Sequence, residues 1–475
     1  MVPNCIVVEK DDAGHYRRTF VSNNKTEVIP DRSEHTSRRH VKGLLTKVFL
    51  PSGYPNSVSP DYLRYQVLNA SQAFCNSLAG LLSSRAVLEG FGVGDPSATA
   101  THALLLSIVQ DVCNRLTTIL GAYAFGSSLV PEAKTYRFLA DVLNDAAVIL
   151  DTLSPLSISS SLPIRIPGLR IGALCLSASF KALCGVLAGG SKAAITLHFA
   201  TPLNGNGDVG DLNAKDSSKE TVLSLIGVLL GTLIVPRLDT PRLTYGALFF
   251  LVGLHLIINY LGVRGLELRS LNRQRAGIAW KMYRLSGGSR VPLPAEVAKL
   301  ENILGQPDVF RDANGRTIGR CTIGSSFSDV FPHHFPARLL EVFDQERYLL
   351  WGSHQSLRQS PGRDVQTFVR EGPIHLHILL KEGYSGDDQL RAWAHAADLC
   401  ATLATEKYDS SSDDAVSLIR TTLRKCAQDF PDFANCLRGA GWNVHDPLLM
   451  AGLPRAVLTR IEPNNGVNRE DKKIR

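Results

Sequence analysis

Three marks of common chemistry are missing from this chain, which has no CxxC pair, no HExxH and no GxSxG. Without the first two, neither a zinc ribbon nor a zinc protease has ligand spacing to rest on, and metal ligands are assigned to none of the residues. Without the third, scattered Ser, His and Asp residues carry no triad information. Cysteines number nine, an odd count with no framework spacing, which fits a reducing compartment. The opening MVPNCIVVEKDD lacks the apolar core of a signal peptide and has acids that a transit peptide avoids, so membrane insertion is expected to use an internal segment. A basic stripe is also lacking. The net charge is +7, but Lys and Arg are spread among acids, which argues against nucleic acid as partner.

The most informative absence is local. Leu243 to Val263, LTYGALFFLVGLHLIINYLGV, has no formally charged side chain and lies between Arg242 and Arg264. A helix rises about 1.5 Å per residue and the hydrocarbon core is about 30 Å thick, so this length suffices to span. The charged residues cluster before residue 47 and after Val263, leaving an apolar middle. We therefore expect a mainly α protein, with a multi-pass helical membrane domain followed by a smaller soluble α+β C-terminal domain. The expected boundaries are a polar, loose arm over 1–45, a membrane domain over 46–284, a linker over 285–319, the soluble domain over 320–462 and a basic tail over 463–475.

Within the middle, Ser59-Pro60-Asp61 reads as a helix start, with Leu63, Val67, Ala70, Phe74, Leu78 and Leu81 at helical spacing through about Leu82. A second helix opens after Asp95-Pro96 and has one polar step, Asp111 to Arg115. After Pro131, Arg137, Asp141, Asn144 and Asp145 share one face of a third helix. Over 171–199, Ser177, Lys181, Gly185, Ala188, Gly189 and Lys192 line one side, with Gly185 and Gly189 spaced for close helix contact. Thr201 to Glu220 is expected as an aqueous loop. Thr221 to Val235 repeats the small-residue spacing with Gly227 and Gly231, and His255 and Asn259 share a face of the last span.

Ionisable groups on helices of spanning length are costly unless paired. Asp141 or Asp145 is expected to pair with Lys181 or Lys192. After the last span, Arg264, Arg269, Arg273, Arg275, Lys281 and Arg284 face one acid, Glu267, which predicts a cytosolic or matrix-facing C-terminal side. Strands are expected at Cys321 to Phe327, Arg347 to Trp351 and His375 to Lys381, and helices at Asp387 to Thr405 and Asp413 to Asp429. His375 and His377 share a strand face and His395 with Cys400 sits on the next helix, without zinc-site spacing. Gly189-Gly190-Ser191-Lys192 lacks the upstream glycine of a phosphate loop. The terminal Lys472-Lys473-Ile474-Arg475 matches a dilysine retrieval address, which points to the endoplasmic reticulum, with a mitochondrial membrane as the alternative.

The segments PSGYPNSVSPDYLRYQ, FGVGDPSATAT, KTYRFLADVLND, SKAAITLHF and DLNAKDSSKETV, in this order, resemble the root UVB sensitive family. The resemblance covers about Thr46 to Tyr283, with ARLLEVFDQERYLL and DDQLRAWAHAADL similar to the family's C-terminal domain. It implies a eukaryotic multi-pass membrane protein without an established reaction, from a family associated in plants with root light responses, auxin transport and vitamin B6 homeostasis. Two departures stand out. Val112 follows Asp111 where relatives tend to have glycine, and the loop after His198 is extended by PLNGNG. The leading functional expectation is a non-enzymatic membrane scaffold or carrier-like protein, in contact with membrane lipid, whose soluble domain binds a protein partner. A transporter using the Asp/Lys stripe and a membrane enzyme acting on a lipid or small metabolite are the alternatives, and no cofactor is named by the residues.

Overall fold

The computed structural model describes residues 5–10, 16–23, 25–30, 47–90, 100–154, 168–203, 205–312, 314–332, 335–352, 374–405 and 412–459. Contacts divide the chain into two units, Met1–Leu268 with Asn302–Leu304, and Arg269–Glu301 with Gly305–Arg475. Lys472 and Lys473 lie outside the described residues.

The first unit begins with an antiparallel sheet rather than a loose arm: β1 (Cys5–Lys10), β2 (Tyr16–Asn23) and β3 (Lys25–Pro30) pair in chain order. The β-branched runs Ile6-Val7-Val8 and Val28-Ile29 supply the strand preference that overall polarity concealed. Among the described residues six long helices follow: α1 (Tyr62–Gly90), α2 (Ala100–Phe125), α3 (Ala133–Leu153), α4 (Leu169–Ala200), α5 (Val209–Ile234) and α6 (Pro241–Arg264). By length and composition α4, α5 extended to Arg237, and α6 are apolar enough to cross a membrane. At the start of α6, Thr240 accepts a bond from the Leu243 amide, 3.4 Å, with Pro241 as first helical residue.

The expected loop before Thr221 is largely helix. Asp208 caps α5 by accepting bonds from Gly210 N at 2.7 Å and Asp211 N at 3.3 Å. Asp216, Lys219 and Glu220 then face α1 and α4, while Asp211 and Lys215 bind the backbone of Ser52 and Lys47. On α1 the apolar period also faces differently from the simple reading. Leu63 and Val67 are 45% and 57% exposed, whereas Tyr62, Gln66, Asn69 and Gln72 are buried. In this first half of the helix, polar residues inside with Leu63 and Val67 outside reverse the pattern of a helix on an aqueous protein, while Leu78 and Leu82 further along are buried.

Close helix contact occurs at two of the four expected glycines. A Cβ on Gly227 would lie 2.9 Å from Ser77 Cβ and 3.0 Å from Phe74 O, and one on Gly231 would lie 2.2 Å from Leu81 Cδ1. Gly185 and Gly189 have nothing within 4 Å, because their side of α4 faces outward. Gly227→Ala, blocked by backbone, is expected to destabilise by about 1–3 kcal/mol. Gly231→Ala meets only the side-chain ends of Leu81 and Leu78 and is expected to cost less, and Gly185→Ala is expected to be neutral or to gain up to about 1 kcal/mol of helix propensity. Melting of the detergent-solubilised chain checks this order; equal melting of the Gly227 variant and wild type would mean that the contact does not constrain the bundle.

The second unit is α+β. Its sheet contains β5 (Val309–Arg311), β6 (Thr317–Ile323), β7 (Tyr348–Gly352), β8 (Ile374–Lys381) and β10 (Val457–Leu458), while β4 (Ser270–Asn272) pairs with β9 (Asn443–Leu448). β8 runs parallel to β6 and β10 and antiparallel to β7. β6 ends earlier than expected because Gly324 turns the chain at φ +77. Its four longest helices among the described residues are α7 (Arg273–Leu285), α8 (Pro294–Leu300), α9 (Gly386–Thr405) and α10 (Ser412–Gly439). α10 continues through Pro431 instead of stopping before it. Phe430, Phe433, Ala434 and Leu437 are all buried, and this apolar gain offsets the roughly 3 kcal/mol proline penalty.

α7 belongs to this unit, although the sequence placed residues through 284 with the membrane domain and 285–319 in a linker. Trp280 and Tyr283 are both 2% exposed, and Trp280 meets Phe433 edge to face at 4.8 Å. Arg284 stacks on Trp280 at 4.7 Å and pairs with Asp398 and Asp429, while the nearly buried Arg275 pairs with Glu301 at 3.0 Å. Two of the six cations counted for orientation are thus committed to folding.

Candidate functional site

Along the inner face of α1, polar side chains continue from Asp61 to Ser83, and each meets a partner from another helix of the first unit. Asp61 accepts from Ser59 Oγ at 2.6 Å and from Glu267 N at 2.8 Å, with His198 Nε2 at 3.1 Å. One turn on, Tyr62 OH and Gln66 Nε2 donate to the two oxygens of Asp216 at 3.0 and 2.7 Å, and Lys219 Nζ lies 2.9 Å from the same carboxylate. Asn69 bridges two ion pairs. Its Nδ2 donates to Glu220, 2.7 Å, which binds Lys192 at 2.9 Å, and its Oδ1 accepts from Arg137 at 3.2 Å.

The centre of this column lies between α1, α3 and α6. Arg137 pairs with Asp141 at 3.0 Å and donates to Tyr65 OH at 3.3 Å. Gln72 and Asn259 donate to the other Asp141 oxygen, and Asn259 also reaches Gln72 Oε1 at 3.1 Å. A turn further along α3, Asp145 binds His255 Nδ1 at 2.8 Å and accepts from Asn144 at 3.4 Å; Asn144 also donates to Asn76 at 2.8 Å. Near the C-terminal end of α3, Asp151 takes Lys181 at 2.5 Å and Ser83 at 3.3 Å.

The expected pairing of Asp141 or Asp145 with Lys181 or Lys192 is therefore replaced. α3 turns those two carboxylates toward α1 and α6, and the α4 lysines reach Asp151 and Glu220 instead. A periodic stripe fixes which residues share a face, but does not say which neighbour that face meets. Gln66, Asn69, Gln72, Asp151, Asp216, Lys219 and Glu220 were not singled out from the sequence. The first three had a readable signal in their three-residue spacing on α1.

Two spaces adjoin the column. A cavity of about 10 Å³, room for one water, is lined by Tyr65, Gln66, Asn69, Arg137, Lys192 and Glu220, among others, and Gln66 Oε1 has no hydrogen-bond donor among the described residues. An open groove of about 210 Å³ between α2 and α4 is lined by Ser107, Gln110, Asp111, Asn114, Ser177, Ala178 and Lys181. Arg115 donates to Asp111 at 2.7 Å, and both side chains are largely exposed.

Of the histidines in the second unit, His377 accepts or donates a bond with Ser325 Oγ at 3.0 Å and stacks on His375 at 4.5 Å. His395 instead lies in the core between Tyr348 OH at 3.2 Å and Thr422 Oγ1 at 3.0 Å. Burial holds His377 down to about 4 and His395 down to about 3, so both rings are neutral at pH 7.

Residues 35–287 match the family described as the vitamin B6 photo-protection and homoeostasis domain, and residues 366–452 match the root UVB sensitive protein C-terminal domain. The chain belongs to the root UVB sensitive family. It is 36% identical over 264 residues to RUS family member 1 of Dictyostelium discoideum, covering 55% of this chain and 48% of that one. It is 33% identical over 266 residues to protein root UVB sensitive 3 of Arabidopsis thaliana, covering 56% of this chain and 57% of that one. To the Arabidopsis protein root UVB sensitive 2, chloroplastic, it is 26% identical over 440 residues, 91% of this chain and 90% of that one. The chain thus spans about half the length of the Dictyostelium relative and 57% of the first Arabidopsis relative. No solved structure matches this family member.

Proposed function

We propose that this chain is a multi-pass membrane carrier for a small polar or charged solute, with the Asp61 to Ser83 column as its pathway. The observation that carries the reading is a polar column inside an apolar shell. α5 exposes Leu225, Leu229, Leu230 and Leu233 while burying Asp216, Gly227 and Gly231, an arrangement that lipid favours and water does not. Residues 61 to 83 on α1 extend about 33 Å at the helical rise, comparable with the hydrocarbon thickness of about 30 Å. The C-terminal side is expected to face the cytosol or an organelle matrix.

The family's description directs the choice of first solutes, pyridoxine, pyridoxal and pyridoxamine. Carbonate extraction should leave the full chain in the membrane fraction, and protease added to sealed vesicles from cells should remove the second unit. Proteoliposomes should take up at least one of these labelled solutes above protein-free vesicles, and Lys192→Met should reduce that uptake about tenfold. A carbonate-soluble chain would end the membrane reading, whereas an integral chain with background uptake would end this solute assignment.

A second reading, a scaffold whose second unit binds a protein partner, is favoured by the pairing of the column's charges, since a purely structural column also needs every acid satisfied. The two readings separate in cells. A scaffold loses function on deletion of 305–475 and tolerates Lys192→Met with normal localisation; a carrier does not tolerate the substitution.

A further inference from the structure

Counting charge along the column isolates its centre. Asp151 has Lys181, Glu220 has Lys192, and Asp216 has Lys219. Among the described residues, the central cluster has two acids, Asp141 and Asp145, and one permanent cation, Arg137. The other partner there is His255, 2% exposed, whose charge depends on a proton. Two thiols face this cluster, Cys75 from α1 and Cys184 from α4, and a thiol in its neutral form adds no charge. Gln72 and Asn259 are neutral. With a deprotonated His255–Asp145 pair, the cluster would bury a net charge of minus one, and an uncompensated buried charge is strongly disfavoured.

We propose that the His255–Asp145 pair is a one-proton binding site at which movement through the column is coupled to a proton. The coupling rests on the carrier reading, whereas the proton site does not. The proton is held either on the imidazole, as His255 H⁺ with Asp145 carboxylate, or on the carboxyl, with a neutral ring. Both forms balance the cluster. Loss of the proton to water leaves one negative charge, so release requires a compensating cation or a rearrangement of Arg137. Asp61 also pairs with a histidine, His198, but has in addition a hydroxyl and a backbone amide as donors. Beyond its histidine Asp145 has only the 3.4 Å contact from Asn144 among the described residues.

The test uses the full chain in phosphatidylcholine proteoliposomes at pH 7, without added solute. Nitrogen-15 histidine solid-state NMR identifies His255 by the signal lost in His255→Gln, and infrared difference spectra identify an Asp145 carboxylic acid by the band lost in Asp145→Asn. Wild type should show an imidazolium in the first measurement or a protonated carboxyl in the second. Asp141→Asn touches neither partner but removes one negative charge, so it should leave a neutral His255 and an ionised Asp145. An ionised Asp145 with a neutral His255 in wild type would overturn the proposal, as would a proton retained in Asp141→Asn. Uptake of labelled solute is measured separately, so failure of the carrier reading leaves the proton count standing. If uptake is found, an imposed pH gradient should change its initial rate severalfold in wild type and leave it unchanged in Asp141→Asn; an unchanged wild-type rate would overturn the coupling.

Discussion

Arg137→Met is expected to destabilise the helical bundle by about 3–5 kcal/mol, the usual cost of removing one partner of a buried ion pair. The guanidinium and the Asp141 carboxylate are 12% and 9% exposed, so solvent cannot take the place of the lost partner. The substitution also leaves Asn69 Oδ1 and Tyr65 OH without their guanidinium donor. Asp141 would retain Gln72 and Asn259, whose amides donate to its charge but do not balance it. Asp141→Asn should destabilise too, because Arg137 loses the carboxylate it binds directly at 3.0 Å even where the cluster's net charge stays balanced. The double variant, with neither charge, should recover part of the loss, and the recovery is the coupling of the pair. Unfolding of the detergent-solubilised chain can be followed with a thiol-reactive dye in a background that keeps Cys75 as the sole cysteine, because Cys75 is buried within the bundle at 3% exposure. Strictly additive losses would show that the two residues act independently, contrary to their 3.0 Å contact.

The sequence made the helices legible where one property dominated. Leu243 to Val263 is uncharged throughout, and the helix found there runs from Pro241 to Arg264. α5 was legible only from Thr221, because Asp216, Lys219 and Glu220 resemble a solvated loop until their partners on α1 and α4 are known. On α1 the apolar and polar periods are both present, and choosing the buried one requires knowing the surrounding solvent. In water Leu63 and Val67 would turn inward, whereas here Gln66, Asn69 and Gln72 do. The central site was legible as residues but not as pairs: Arg137, Asp141, Asp145, His255 and Asn259 were all visible on helical faces, yet the lysine partners expected for the acids lie elsewhere. Pairing between helices depends on their relative rotation, which no single-helix pattern contains. The division at Leu268 was hidden for a related reason, since Trp280 and Arg284 reveal their role only beside Phe433, Asp398 and Asp429.

Acid is expected to weaken the second unit through His395. Tyr348 and Thr422 hydroxyls flank the two ring nitrogens, and the Thr422 hydroxyl also donates to backbone carbonyls of its own helix. That leaves Thr422 Oγ1 to accept from Nε2–H and the Tyr348 hydroxyl to donate to Nδ1, the bonding of a neutral ring. Burial depresses the folded value from the ordinary 6.5 to about 3, so on acidification the unfolded chain binds this proton first. Stability from this residue is therefore fully present above pH 6.5 and declines as pH falls toward 3. At 1.36 kcal/mol per unit the loss reaches about 2 kcal/mol at pH 5 and about 4 kcal/mol near pH 3. All four tryptophans, Trp280, Trp351, Trp393 and Trp442, belong to this unit, so tryptophan emission during denaturant unfolding of the full chain follows it selectively. His395→Gln should lower stability at pH 7 but flatten the decline between pH 6.5 and pH 5. Other groups also titrate in that interval, and the difference between the two curves isolates His395. Parallel curves would mean that the ring gains its proton in the folded state, which the enclosure by Tyr348, Thr422 and Phe343 opposes.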